Sequence, residues 1–190
     1  MTLKHFFLTG AALLAILPAA CTSTSTTNLP RADLGFTQMA PVSLGVSKVQ
    51  VTDSTGGGAQ LNPRVSPVEA LTRYANRRLK ANGGEGTLNF IIQQASLTAS
   101  EVPNTGNWTE NFQLSKPMEY VVTMRIGLDL VDRQTQPNVR SAYTLERKKQ
   151  LPAGTSLAER DRQLNLMVED MVKNVDDAVQ AGLKNNMHLI

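Results

Sequence analysis

Cysteine is almost absent: the 190-residue chain carries one, Cys21. No disulfide can close within a monomer, so the fold must be held by burial alone. Histidine is nearly as scarce. Of the two, His5 lies in the leading apolar segment and His188 stands near the C-terminus, in a stretch expected to fray. A Cys/His metal centre needs several donors. A Ser/His/Asp or Cys/His nucleophile needs a well-placed imidazole. One terminal histidine supplies neither, so no metal, cofactor or usual catalytic set is expected. Aromatic residues make up 5% of the chain and include a single tryptophan, Trp108. Charge of either sign is also modest. The formal balance of +3 falls to +2 once Lys4 is removed, too weak a field to steer nucleic acid.

Other chemistries are excluded by spacing. Gly56-Gly57-Gly58 is a glycine run without the Gly-Lys-Ser/Thr that completes a phosphate loop. The carboxylate pairs Glu169-Asp170 and Asp176-Asp177 are adjacent in sequence. On a helix such neighbours diverge by about 100°, so neither pair faces one substrate as a glycosidase requires. Both are expected on a solvated surface.

What is present begins at the N-terminus. Lys4 precedes an apolar stretch from Phe6 to Leu17, and Pro18-Ala19-Ala20 lead into Cys21. A charged start, a short apolar core and a small-residue cleavage zone form an export signal, and the run is shorter than the roughly 20 residues that span a bilayer. Residues 17–21 resemble the bacterial lipobox: Ala19, Ala20 and Cys21 match, while Pro18 stands where leucine is usual. The resemblance implies cleavage after Ala20 and a diacylglycerol thioether plus an N-acyl chain on Cys21. Three chains exceed the two signals that stable anchoring needs. Thr22, not aspartate, follows the cysteine, which by family habit implies sorting to the periplasmic face of the outer membrane.

Removing residues 1–20 from 190 leaves 170, the size of one domain with a tether. The Ser/Thr tract from Thr22 to Thr27 has nothing to bury. Residues 21–41 are therefore read as a lipidated cysteine and its tether, with a root-mean-square reach of roughly 25 Å, and 42–190 as a single α+β domain.

Within that domain the order strand, helix, three strands, helix is expected. Val42, Leu44 and Val46 alternate, and Val49 and Val51 resume on the other parity. A bulge near Ser47-Lys48, or a strand covering only half the segment, would explain the switch. Ser66-Pro67-Val68-Glu69 is a capping box with proline in the first turn. It predicts a helix with Val68, Leu71, Tyr74 (or Ala75) and Leu79 on its buried stripe, stopped by Asn82-Gly83-Gly84. Strands are predicted near Leu88–Leu97, over Met118–Asp132 and over Val139–Lys148. In the second of these, Met118, Tyr120, Val122, Met124, Ile126, Leu128 and Leu130 share one parity, as a strand with one face on a core must. The short turn after it predicts antiparallel pairing with the next strand. A second capping box, Ser156-Leu157-Ala158-Glu159, opens a helix of about 30 residues with apolar steps from Leu164 to Leu183. The economical arrangement is a two-layer sandwich: a four-stranded, largely antiparallel sheet with two helices on one face.

Lipidated cysteine, polar tether and β-α-β-β-β-α order together resemble small bacterial envelope lipoproteins, of the LPS-assembly and ABC-transport auxiliary types. The resemblance implies a non-enzymatic accessory component, anchored in the outer membrane, that binds a protein partner in envelope assembly or lipid transport. A lipid- or ligand-carrying protein with a pocket between helices and sheet is the alternative.

The candidate contact residues are basic. Arg73, Arg77, Arg78 and Lys80 gather on the first helix, and Arg147-Lys148-Lys149 close the fourth strand. Arg73 and Arg77 are four apart and hence surface neighbours. Anionic phospholipid, LPS phosphate or an acidic partner patch would suit them. A solvated helix face with cations near its C-terminus is the plainer reading. Trp108, in a long polar segment, suits either an interface or packing against the sheet edge.

Overall fold

Leu44 and Val46 are both fully buried, but Leu44 closes a strand of one sheet and Val46 lies in the bend that carries the chain into another, and the parity switch in the sequence marks the crossing. The computed structural model describes residues 38–57, 65–103, 116–134 and 136–190. Strand β1, Val42–Leu44, pairs in parallel with β3, Leu79–Ala81. The chain then folds tightly, Val46 N donating to Leu44 O at 2.7 Å and Ser47 N to Gly86 O at 3.0 Å. Strand β2, Lys48–Asp53, enters the main sheet. Of the two explanations for the switch, a strand covering half the segment is the one observed.

Helix α1, Pro67–Arg78, starts where the capping box places it: Ser66 Oγ accepts from Glu69 N at 3.2 Å. It ends earlier than expected. Leu79 continues the apolar stripe, but Leu79–Ala81 leave the helix to pair with β1. Long-range strand pairing overrides the local helical periodicity, which one sequence window does not reveal. The two glycines serve a later turn instead. Gly84 has φ of 123°, and a Cβ there would collide with the carbonyl of Gly45.

Strands β4 (Thr87–Glu101), β5 (Met118–Val131) and β6 (Val139–Leu151) complete a four-stranded sheet of order β2-β4-β5-β6. The β2–β4 pair is parallel; β4–β5 and β5–β6 are antiparallel. A bulge between Ile92 and Gln94 switches the buried parity of β4 from Leu88, Phe90 and Ile92 to Ala95 and Leu97. Helix α2, Leu157–Asn185, is capped by Ser156. Both helices lie on the same sheet face. Tyr74 of α1 meets Phe90 with ring centroids 6.0 Å apart. Gly182 of α2 sits so close to Tyr143 that any Cβ would strike the phenol. The fold is thus the expected α+β sandwich.

The topology gives the domain two ends. Ala40, β1, β3, the starts of β2, β4 and β6, and the C-terminal ends of both helices meet at one, here called the root because the tether enters there. The C-terminus belongs to it too. Met187 is buried, and Leu189 N donates to Leu183 O while its own carbonyl accepts from Gly45 N. The fraying expected around His188 is not seen, although His188 itself is exposed. Cys21, Trp108 and most of the tether lie outside the described residues.

Candidate functional site

The root is organised around a buried carboxylate. Tyr74 and Arg78 are four apart on α1, on the helix face that also buries Ala70 and Leu71. Opposite them α2 presents Asp176, 2% exposed. Asp176 accepts from Tyr74 Oη at 2.8 Å, from Arg78 Nε at 2.9 Å and Nη2 at 3.2 Å, and from Gln180 Nε2 at 2.6 Å. Arg78 Nη1 also donates to the carbonyl of Ala40, tying the incoming chain to both helices. Burial, and then the neighbouring Asp176 charge, push the Tyr74 phenol well above its ordinary pKa. The hydrogen bond to Asp176 raises that of Arg78.

This corrects the reading of Asp176-Asp177 as a solvated pair. Asp177 is exposed, but Asp176 faces the helix interface. A buried carboxylate is sustainable only when its oxygens are paired, and its partners on α1, Arg78 and Tyr74, lie 98 and 102 residues away in sequence. No local signal marks it. Arg78 is likewise drawn inward, its side chain 14% exposed.

The remaining basic residues of α1 stay outside. Arg77 and Lys80 are exposed and Arg73 is half-buried, its Nε without a hydrogen-bond partner among the described residues. Lys80 belongs to β3, not the helix, and its Nζ donates to Asn76 O at 2.6 Å. A cleft of about 320 Å³ opens between α1, β3 and β2, with Lys48 and Lys80 among its lining residues. Nothing local in the sequence distinguishes Lys48.

The second basic group is elsewhere. Lys149 lies ten residues along β6 from Val139, which is at the root end, hence about 33 Å away at strand rise. One small ligand cannot touch both groups. Each member of the second group also has a partner: Arg147 with Asp170 at 2.8 Å, Lys148 with Glu146 at 3.5 Å, and Lys149 with Gln163.

The sheet face away from the helices is uncovered by either of them. A trough of about 440 Å³ runs across it over Gly127 and Ala142, flanked by Gln93 and by Arg140, whose Nε is 3.1 Å from Asp129. Between α2 and the sheet, by contrast, Met124, Ile126, Leu164, Met171 and Val175 are each at most 1% exposed. Among the described residues no group of three or more His, Cys, Asp or Glu side chains could hold a metal ion, and no helix is long and apolar enough to cross a membrane.

No family model matches the chain, and no curated protein is recognisably similar to it. Solved structures with a partly similar chain path include rare lipoprotein B of Shewanella oneidensis, at 14% identity and TM-score 0.42, covering 74% of this chain and 97% of that one. A minor lipoprotein of Acinetobacter baumannii gives 9% identity and TM-score 0.42, with 73% and 94% covered. A Xanthomonas campestris protein of the family model DUF330 gives 13% identity and TM-score 0.35, with 80% and 91% covered. Likenesses this distant assign no family.

Proposed function

We propose that the chain is a non-enzymatic bacterial envelope lipoprotein, held at the periplasmic face of the outer membrane by lipid on Cys21. Its domain binds a protein partner in envelope assembly or lipid transport. The observation that carries this reading is the position of the only cysteine, at the close of an export signal and ahead of a polar tether. The packed side chains between α2 and the sheet favour a binding domain over a carrier with a pocket there. The sheet face that the described residues leave open, four strands wide, offers a surface for the partner.

Crosslinking in intact cells followed by mass spectrometry tests the proposal. Capture of subunits of one membrane complex, linked through open-face residues such as Gln93 or Thr144, is the expected result. A chain that yields no protein crosslink and purifies with stoichiometric lipid would instead be the carrier.

A further inference from the structure

The cleft at the root has a composition that suits an anion. Its lining includes Lys48, Lys80, Ser47 and Asn76 and no carboxylate. Lys48 and Lys80 come from different sheets, placed side by side because β2 begins where β3 passes the end of α1. Neither lysine has an ion-pair partner among the described residues, and neither does Arg77. Arg73, Asn76, Arg77 and Lys80 fall at steps of three, one and three, so they follow one side of α1 into β3. At the opposite end Arg147 and Lys148 are paired with carboxylates, whereas among the described residues Lys48, Lys80 and Arg77 face none within ion-pair distance.

The position of the cleft selects its occupant. Ala40, bound by Arg78, is where the tether joins the domain, and about 20 residues separate it from Cys21. That length has a root-mean-square span of roughly 25 Å, so the root is held within reach of the headgroups to which the lipid is fixed. We propose that the Lys48–Lys80 cleft, with Arg77 and Arg73 beside it, docks on phosphate groups of anionic phospholipid in the anchoring leaflet. The proposal rests on Cys21 lipidation for its setting and adds an orientation. The root lies against the bilayer, and the end bearing Arg147, Lys148 and Lys149 points away. Few cations are involved, so docking orients the domain and is too weak to retain it without the lipid.

The test uses the mature chain carrying Cys21→Ser, which separates docking from acylation. Its sedimentation with phosphatidylglycerol vesicles is compared with that on phosphatidylcholine vesicles at low ionic strength. Binding to the anionic vesicles only, lost on adding salt, is expected. Each cation near an anionic surface is worth about a fivefold change in partitioning. Lys48→Gln with Lys80→Gln should therefore weaken binding by about 25-fold, and Arg77→Gln by about fivefold. Lys148→Gln with Lys149→Gln, at the far end, should leave it unchanged. Equal binding to both vesicle types, or equal losses from the two double variants, would overturn the proposal. So would displacement of vesicles by millimolar inorganic phosphate where sodium chloride of equal ionic strength displaces none, which would make the cleft a site for free phosphate. Because Lys48, Lys80, Arg77 and Lys148 are exposed and Lys149 is only half-buried, far-ultraviolet circular dichroism should report unchanged folding in every variant. Failure here would leave lipidation of the native chain standing, since that is read separately from its mass.

Discussion

Arg78 and Asp176 join the two helices, Nε to Oδ1 at 2.9 Å, with the carboxylate almost fully withdrawn from water. Breaking a buried pair by removing one member leaves the other charge uncompensated and costs about 3–5 kcal/mol. Asp176→Ala should therefore destabilise the domain by that amount in urea unfolding. Asp177→Ala, one residue on but exposed, should change it by less than about 0.5 kcal/mol. Equal effects from the two would show that Asp176 is not the buried partner.

The same carboxylate predicts an alkaline limb. Burial keeps the Tyr74 phenol protonated in the folded domain well above its unfolded value, which is about 10. A raised phenol pKa gives stability that is fully present below pH about 10 and is lost above it, as the unfolded chain ionises while the native one does not. Wild type should thus lose more stability between pH 9 and 11 than Tyr74→Phe does, by urea midpoint at each pH. Parallel curves would mean that Tyr74 ionises normally.

Gly83 and Gly84 both have positive φ, but only Gly84 approaches other backbone. Gly83→Ala should cost about 1 kcal/mol, the left-handed penalty alone. Gly84→Ala adds a collision with the Gly45 carbonyl and should cost about 2–4 kcal/mol. Thermal unfolding separates the two, and similar melting temperatures would show that the root turn is looser than described.

Much of this fold was legible because its signals are local. The alternation from Met118 to Leu130 became β5, and the two capping boxes opened both helices at Ser66 and Ser156. The turn at Pro137 set β6 antiparallel to β5. What escaped depends on residues far apart in the chain. Leu79 reads as helical until β1 is there to pair with it, and the bulge at Gln93 has no glycine to announce it. The site divides in the same way. Arg77 and Lys80 were visible as exposed cations, whereas the turning-in of Arg78 needed Asp176, and the placing of Lys48 on the same cleft as Lys80 needed β3 beside β2.

The cap at Ser66 offers a direct check on the legible part. Ser66→Ala removes the acceptor for Glu69 N and should destabilise the domain by about 1 kcal/mol. Ser66→Asp should restore most of it, since aspartate caps as well and suits the helix N-terminus. A melting temperature unmoved by the alanine substitution would deny the cap any energetic role.

The lipid on Cys21 is measured most directly by the mass of the N-terminal peptide from chain purified out of bacterial membranes. The expected peptide begins at Cys21 and carries a diacylglycerol thioether and an amide-linked acyl group. It should be missing from Cys21→Ser, which should fractionate away from the membrane. A wild-type peptide starting at Cys21 with a free thiol and free amine, from protein recovered in the soluble fraction, would contradict the anchor and the envelope role built on it.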